Sequence, residues 1–239
     1  MRAFFAAALF APMAVSAAEM EYGRCIDLAR IEPEATRVAA IRWYEDTGFA
    51  GALHCEAVAL EEIGALSTAA DRLTTAAQLP GVPDTTRVDL LVQAASLRRE
   101  NGDLGAAISA LDTALAFAET AAVHRERSIA LLERRDFDEA VLSLNRALQL
   151  DPRDAQALTL RAAARRRLGE LEGAKRDALD AIELRPVSAG AWFELGKVER
   201  ELGFDGAARR AWLKTIDLAP SSPFATLARG GLQDMDGGE

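Results

Sequence analysis

The chain has 239 residues, of which 50% are apolar and 27% are charged, a balance typical of an ordinary globular protein. Its formal net charge is −9, from 28 basic and 37 acidic residues. Because phosphate neutralisation supplies most of the affinity for nucleic acid, an acidic chain without a basic tract is a poor nucleic-acid binder. We therefore exclude nucleic acid as a partner and expect the charge to serve solubility.

The first 17 residues have the features of a cleavable secretory signal peptide. Arg2 supplies a positive charge, residues 3–15 form an uncharged apolar run, and Val15-Ser16-Ala17 matches the small-x-small pattern of a cleavage site. The run is too short to cross a bilayer, which needs roughly 20 residues. We therefore expect removal of residues 1–17, a periplasmic or secreted location, and no membrane span in the mature chain.

Residues 18–49 are predicted to form a helical N-terminal cap. Residues 33–46 have a helical pattern of apolar side chains, and the end of a repeat array needs a cover for its stacking face. A docking arm for a partner is the alternative interpretation of this segment.

The two cysteines, Cys25 in the cap and Cys55 beyond it, predict one disulfide, since an even pair in an exported chain usually forms a bond. Two free buried thiols are an alternative. A metal site is another, because His54 precedes Cys55. However, His124 is the one other histidine, and no C-x-x-C or H-x-x-x-H spacing is present. We therefore expect no metal and no cofactor.

Internal periodicity is the most informative feature of residues 50–221. Three sets of residues recur at steps of 34: Ala140, Ala174 and Ala208; Pro152, Pro186 and Pro220; and Leu144, Ala178 and Trp212. Upstream, Ala107 lies 33 residues before Ala140, and Ala69 lies 38 before Ala107, with the extra residues around Pro80-Gly81-Val82-Pro83. Each unit is predicted to form two amphipathic helices. We predict five units, starting near Ala50, Val88, Ala121, Ala155 and Ala189.

This pattern resembles the tetratricopeptide repeat, which has 34 residues, a small residue at position 8, Ala at 20 and 27, and Pro at 32. The fifth unit matches it best, through Trp192, Leu195, Gly196, Ala208 and Pro220. Four residues depart from it: Thr215 for Ala, Glu119 for Pro, and His124 and Arg127 at apolar positions. The resemblance implies an all-α fold, a right-handed α-solenoid of helix-turn-helix repeats, in an exported bacterial protein.

The segment after the repeats is predicted to close the array. Residues 222–233 resemble a C-terminal capping helix, which such arrays need for the same reason as at the N-terminus. Residues 234–239 are expected to form a frayed acidic tail.

The resemblance also implies a concave groove, lined by the first helices of successive repeats at unit positions 2, 5, 9 and 12. The candidate partner-binding residues carried over to this chain are Arg99, Arg125, Ile129, Leu132, Arg166, Phe193, Lys197 and Arg200. The Lys/Asn arrangement of the family's chaperone-tail carboxylate clamps is missing, so that function does not transfer.

Five of the groove positions are basic, and Glu61 is acidic. A concentration of positive charge would favour a protein or peptide partner with acidic segments. The alternative is that the arginines pair with neighbouring acids, including Asp89, Glu133 and Glu201. Arg165, in the densest basic cluster, is likewise expected to pair with acids such as Asp177.

No catalytic motif accompanies the repeats. The chain lacks a glycine-rich phosphate loop and a G-x-S-x-G elbow, and neighbouring helical residues such as His54 and Cys55 point about 100° apart. We expect a non-enzymatic periplasmic protein–protein interaction scaffold, in envelope assembly or protein maturation. The alternatives are a non-catalytic accessory subunit of a periplasmic enzyme complex and an enzyme whose site the sequence does not reveal.

Overall fold

The computed structural model describes residues 22–237, so the predicted signal peptide lies outside the described residues. The described part of the chain forms helices joined by short turns, without a strand, and within each compact unit consecutive helices pack on one another. It divides into two compact units at Asn101 and Gly102. The boundary falls between the two helices of the second predicted repeat. The predicted fold class, an all-α helical-repeat solenoid, is confirmed.

The described residues of unit 1 form five helices: α1 (Tyr22–Ile31), α2 (Pro33–Thr47), α3 (Ala50–Glu62), α4 (Leu66–Gln78) and α5 (Asp84–Glu100). From α2 onward each helix packs on the next, and α1 packs on both α2 and α3. The sequence pattern predicted α2 but not α1 as a separate helix. Ten residues are marginal for an isolated helix, and only Cys25 and Ala29 of α1 are buried, so tertiary contacts hold it in place.

The predicted disulfide is present in unit 1. Cys25 of α1 and Cys55 of α3 are bonded, with their Cα atoms 5.9 Å apart. Both residues are fully buried in a core that also contains Trp43. The bond therefore attaches the N-terminal helix to the first helix of the first repeat.

Up to residue 237, unit 2 forms eight helices: α6 (Leu104–Phe117), α7 (Ala121–Arg134), α8 (Phe137–Leu150), α9 (Ala155–Arg167), α10 (Leu171–Leu184), α11 (Ala189–Glu201), α12 (Asp205–Leu218) and α13 (Pro223–Asp236). The helix pairs α7–α8, α9–α10 and α11–α12 correspond to the third, fourth and fifth predicted repeats. Within unit 2 each helix packs on the next, and α9 also contacts α7 and α11.

The recurring alanines explain this close packing. Ala140, Ala174 and Ala208 have no exposed surface, and a methyl side chain at such buried positions lets neighbouring helices pack closely. Thr215 belongs to a second series, in which the two preceding repeats have Ala147 and Ala181, and all three residues are fully buried. The Thr215 hydroxyl donates a hydrogen bond to the Ala211 carbonyl at 3.1 Å, so the buried polar group is satisfied within its own helix.

The turn inside each repeat requires a left-handed residue. Gly169 and Gly203 have φ of 80° and 83°, a conformation that glycine adopts at little cost. The equivalent residue of the third repeat is Arg135, with φ of 70°. Arg135 therefore carries a conformational strain that its neighbours in the series avoid.

The final helix is longer than predicted. Ser222 caps α13 by accepting a hydrogen bond from the Ala225 amide at 3.1 Å, and the helix continues to Asp236. Met235 packs against the core of the last repeat, and Asp236 pairs with Arg209 of α12. Residues 234–236 are thus helical rather than frayed. None of the helices in residues 22–237 has the length and apolar character needed to span a bilayer.

Candidate functional site

Seven of the eight predicted groove residues lie in unit 2, on the first helices of three repeats. Arg125, Ile129 and Leu132 are on α7, Arg166 is on α9, and Phe193, Lys197 and Arg200 are on α11. Because α9 contacts both α7 and α11, these three first helices lie side by side. Arg99, the eighth residue, is a half-buried residue of α5 in unit 1.

Arg166 is not a surface residue. Its side chain is 7% exposed, with Nε 3.2 Å from Glu194 Oε2 and Nη1 2.6 Å from Glu201 Oε1. The second Glu194 oxygen lies 3.4 Å from Lys197 Nζ. This network ties α9 to α11. The donors of Arg166 are used to hold two repeats together, and its contact with a partner stays a prediction.

Phe193 is also part of the core. It is 7% exposed, its ring centroid lies 5.7 Å from that of Phe224 in α13, and it packs with Trp212. Lys197 Nζ lies 5.2 Å from the centre of the Phe193 ring, and burial lowers the pKa of this ammonium group. Phe193 thus attaches the terminal helix to the last repeat, and its role as a groove contact stays a prediction.

The remaining basic residues of the predicted groove are paired as well. Arg125 Nη1 lies 2.5 Å from Asp154 Oδ2, and Asp154 also caps α9 by accepting hydrogen bonds from two backbone amides. Arg200 pairs with Asp205 at the start of α12. The four cations of this surface in unit 2 therefore face four carboxylates: Asp154, Glu194, Glu201 and Asp205. These carboxylates offset the positive charge of the cations, so a positive potential no longer supports the expected preference for acidic partners.

The pairing partners were only partly foreseen. Glu201 was among the acids weighed, whereas Asp154 and Glu194 were missed. Arg125 and Asp154 are 29 residues apart, and Arg166 and Glu194 are 28 apart. A search for opposite charges slightly less than one repeat apart would have found both pairs.

The basic cluster of α9 shows the same behaviour. Asp177 of α10 is buried, and its carboxylate accepts hydrogen bonds from Arg161 and from Arg165 at 2.7–2.9 Å. The expected pairing of Arg165 with Asp177 is therefore observed. The half-exposed residues along the first helices of unit 2 include the uncharged Ile129, Leu132 and Thr159 beside the paired cations. No group of three potential ligands for a metal ion occurs among residues 22–237.

A family model described as tetratricopeptide repeat matches residues 92–155, 125–182 and 159–223, together more than half of the chain. The chain belongs to the tetratricopeptide repeat family. The matched segments include the third, fourth and fifth predicted repeats, while the first was predicted from the sequence pattern and forms the α3–α4 helix pair.

Solved structures of tetratricopeptide repeat proteins share this fold. YrrB, a TPR protein with an unusual peptide-binding site, aligns at 19% identity with a TM-score of 0.59, over 80% of this chain and 98% of YrrB. MamA from Desulfovibrio magneticus RS-1 aligns at 19% identity with a TM-score of 0.62, over 73% and 97% of the two chains. A chain of the APC/C hetero-tetramer Cut9-Hcn1 aligns at 15% identity with a TM-score of 0.60, over 87% and 42%. At these identities the likeness concerns the fold alone.

Proposed function

We propose that this tetratricopeptide repeat protein is a non-catalytic protein–protein interaction scaffold of the bacterial periplasm, with a role in envelope assembly or protein maturation. The main support for the proposal is the ion pairing between the first helices of the repeats in unit 2. Arg125 of α7 pairs with Asp154 at the start of α9, and Arg166 of α9 pairs with Glu194 and Glu201 of α11, so these ion pairs help to hold the first helices in one arrangement before any partner arrives. Preorganisation of this kind lowers the entropic cost of binding.

The uncharged residues on this surface indicate how it binds. Ile129 and Leu132 of α7 are half-exposed three residues apart, so they share one face of the helix. Thr159 adds an uncharged position on the neighbouring α9. A partner is therefore expected to bind through shape and apolar contacts rather than through net charge. YrrB, with its peptide-binding site on a related fold, supports the choice of a peptide or protein as the partner class.

Site-specific photo-cross-linking tests the scaffold function. A photoreactive residue at Gln156, an exposed position of α9, should capture a discrete partner in living cells. The same residue at Leu142, exposed on the second helix α8, is the matched control and should capture nothing specific. Equal cross-linking at both positions, or none at Gln156, would contradict binding on the first helices. Capture of one enzyme at fixed stoichiometry would instead support an accessory subunit.

The periplasmic location rests on the signal-peptide pattern of residues 1–17 and on the disulfide. The intact mass of the protein recovered from cells should correspond to a chain that begins at Ala18. A mass that retains Arg2 would contradict export.

A further inference from the structure

The insertion that lengthens the first repeat forms a wall of a cleft in unit 1. The loop of residues 79–83 connects α4 to α5, and Gly81 turns it with a φ of 81°. Arg87 of α5 holds the loop by donating hydrogen bonds to the Leu79 carbonyl at 2.8 Å, to the Val82 carbonyl at 2.9 Å and to the Ala77 carbonyl. The wall is therefore fixed in place without a ligand.

The cleft has a volume of about 560 Å³, within the range of about 300–1,000 Å³ typical of ligand sites. Its other walls are the start of α1, the turn before α3, and the first turns of α5, and all of them belong to unit 1. None of its 14 lining residues is an acid, a lysine or an arginine, although 27% of the chain is charged. Phe49 and Tyr22 line the cleft and are 46% and 42% exposed. Such exposed aromatic surface is available to an apolar side chain.

A hydrogen-bonded chain orients these aromatic rings. His54 Nε2 lies 3.0 Å from Gln93 Oε1, which only accepts, so this nitrogen carries the proton. Nδ1 then accepts a hydrogen bond from the Tyr22 hydroxyl at 2.5 Å. Burial lowers the pKa of His54, which favours the neutral imidazole. Tyr22 in turn meets Phe49 edge to face, with ring centroids 6.5 Å apart.

A smaller recess of about 210 Å³ shares His54 with the cleft, but its lining is acidic rather than uncharged. Glu61 of α3 and Glu100 of α5 line it. Burial raises the pKa of Glu61, and the charges of Glu62 and Glu100 raise it further, while Arg30 lowers it. Glu61 follows His54 by seven residues on one helix, a distance of about 10 Å at 1.5 Å per residue. An extended peptide covers that distance with about three residues.

We propose that unit 1 binds an extended segment of a partner protein through a bulky uncharged side chain in the cleft and a Lys or Arg side chain, about three residues away, at Glu61 and Glu100. The proposal rests on the scaffold function but assigns a second surface with its own sequence preference. The uncharged lining excludes a charged anchor on desolvation grounds. The paired glutamates supply the complementary charge for the basic residue.

Selection from a nine-residue peptide library on the purified mature protein tests the proposal. Enriched peptides should carry an aromatic or branched aliphatic residue three positions from a Lys or Arg. A fluorescently labelled enriched peptide then serves as the probe in anisotropy titrations. Thr86→Glu places a charge in the cleft and should weaken its binding at least tenfold. Thr85→Glu, also exposed in the first turn of α5 but outside the lining, should change binding less than twofold.

Glu61→Gln should weaken the binding of the probe several-fold and reduce its salt dependence, whereas Glu62→Gln, which lies outside the recess and acts only through its charge, should have the smaller effect on both. Selection without enrichment, enrichment of acidic peptides, or equal effects of the two threonine variants would overturn the proposal. So would a dimer of this chain that Thr86→Glu dissociates, since a second copy would then fill the cleft. Cross-linking at Gln156 in unit 2 is independent of all these outcomes, so failure of the cleft is distinguishable from failure of the scaffold function.

Discussion

Replacement of Arg166 by methionine should loosen the contact between α9 and α11. The Arg166 side chain is 7% exposed, and its guanidinium pairs with the carboxylates of both Glu194 and Glu201. Removing one partner of a buried ion pair costs 3–5 kcal/mol, because the other charge is left without compensation. Lys197 stays 3.4 Å from Glu194, so we expect the lower end, roughly 3 kcal/mol.

Arg167→Met is the matched control, one residue further along the same helix. Arg167 is exposed, and its guanidinium lies 5.4 Å from the centre of the Phe137 ring. An exposed contact of this kind contributes about 0.5–1 kcal/mol. Adding Glu194→Met to Arg166→Met should recover stability, because replacing both members of a buried pair with apolar residues is often neutral.

Amide hydrogen exchange measures the effect where it occurs. A loss of roughly 3 kcal/mol corresponds to exchange about a hundredfold faster in peptides from α9 and α11. Peptides from α2 and α3 in unit 1 serve as the internal reference. If Arg166→Met and Arg167→Met accelerate exchange equally, the buried network does not hold the repeats together and the surface is not preorganised by it.

Three further predictions follow from single features of the chain. Arg135→Gly should raise the free energy of unfolding by about 0.5–1 kcal/mol, since it relieves the strain of a left-handed backbone conformation at a small entropic cost. Gly169→Arg should introduce that strain and lower the thermal midpoint of unfolding. Unchanged midpoints in both variants would show that the turn is not strained. Reduction of the disulfide, whose cysteines are 30 residues apart, should destabilise unit 1 by about 3–4 kcal/mol and leave exchange in unit 2 unaffected. Hydrogen bonds from Arg146 and His124 lower the pKa of Glu119 to about 2. The contribution of Glu119 to stability is therefore present above pH 4.5 and is lost as the pH falls toward 2. Carbon NMR should find the lowered pKa, and Arg146→Met should return it toward 4.5.

The amino-acid sequence by itself determined the repeat and its helices. A 34-residue period of alanines predicts where backbones approach, and residues such as Ala174 and Ala208 are fully buried there. Turn residues such as Gly169 have a left-handed conformation, which glycine adopts at little cost. These features are local, because helix ends, helix faces and short turns depend on residues within a few positions of each other. The disulfide was also accessible, since a chain with two cysteines allows a single intramolecular pairing.

Only the tertiary structure decided what the charged and aromatic side chains do. Arg166 and Phe193 occupy groove positions of the repeat pattern, yet one is buried against Glu194 and the other against Phe224. Long side chains have several possible partners on neighbouring helices, and the choice depends on the distances between helices, which periodicity does not specify. The cleft of unit 1 arises in the same way, since Tyr22, Phe49 and the loop of residues 79–83 meet only when three separate elements pack together.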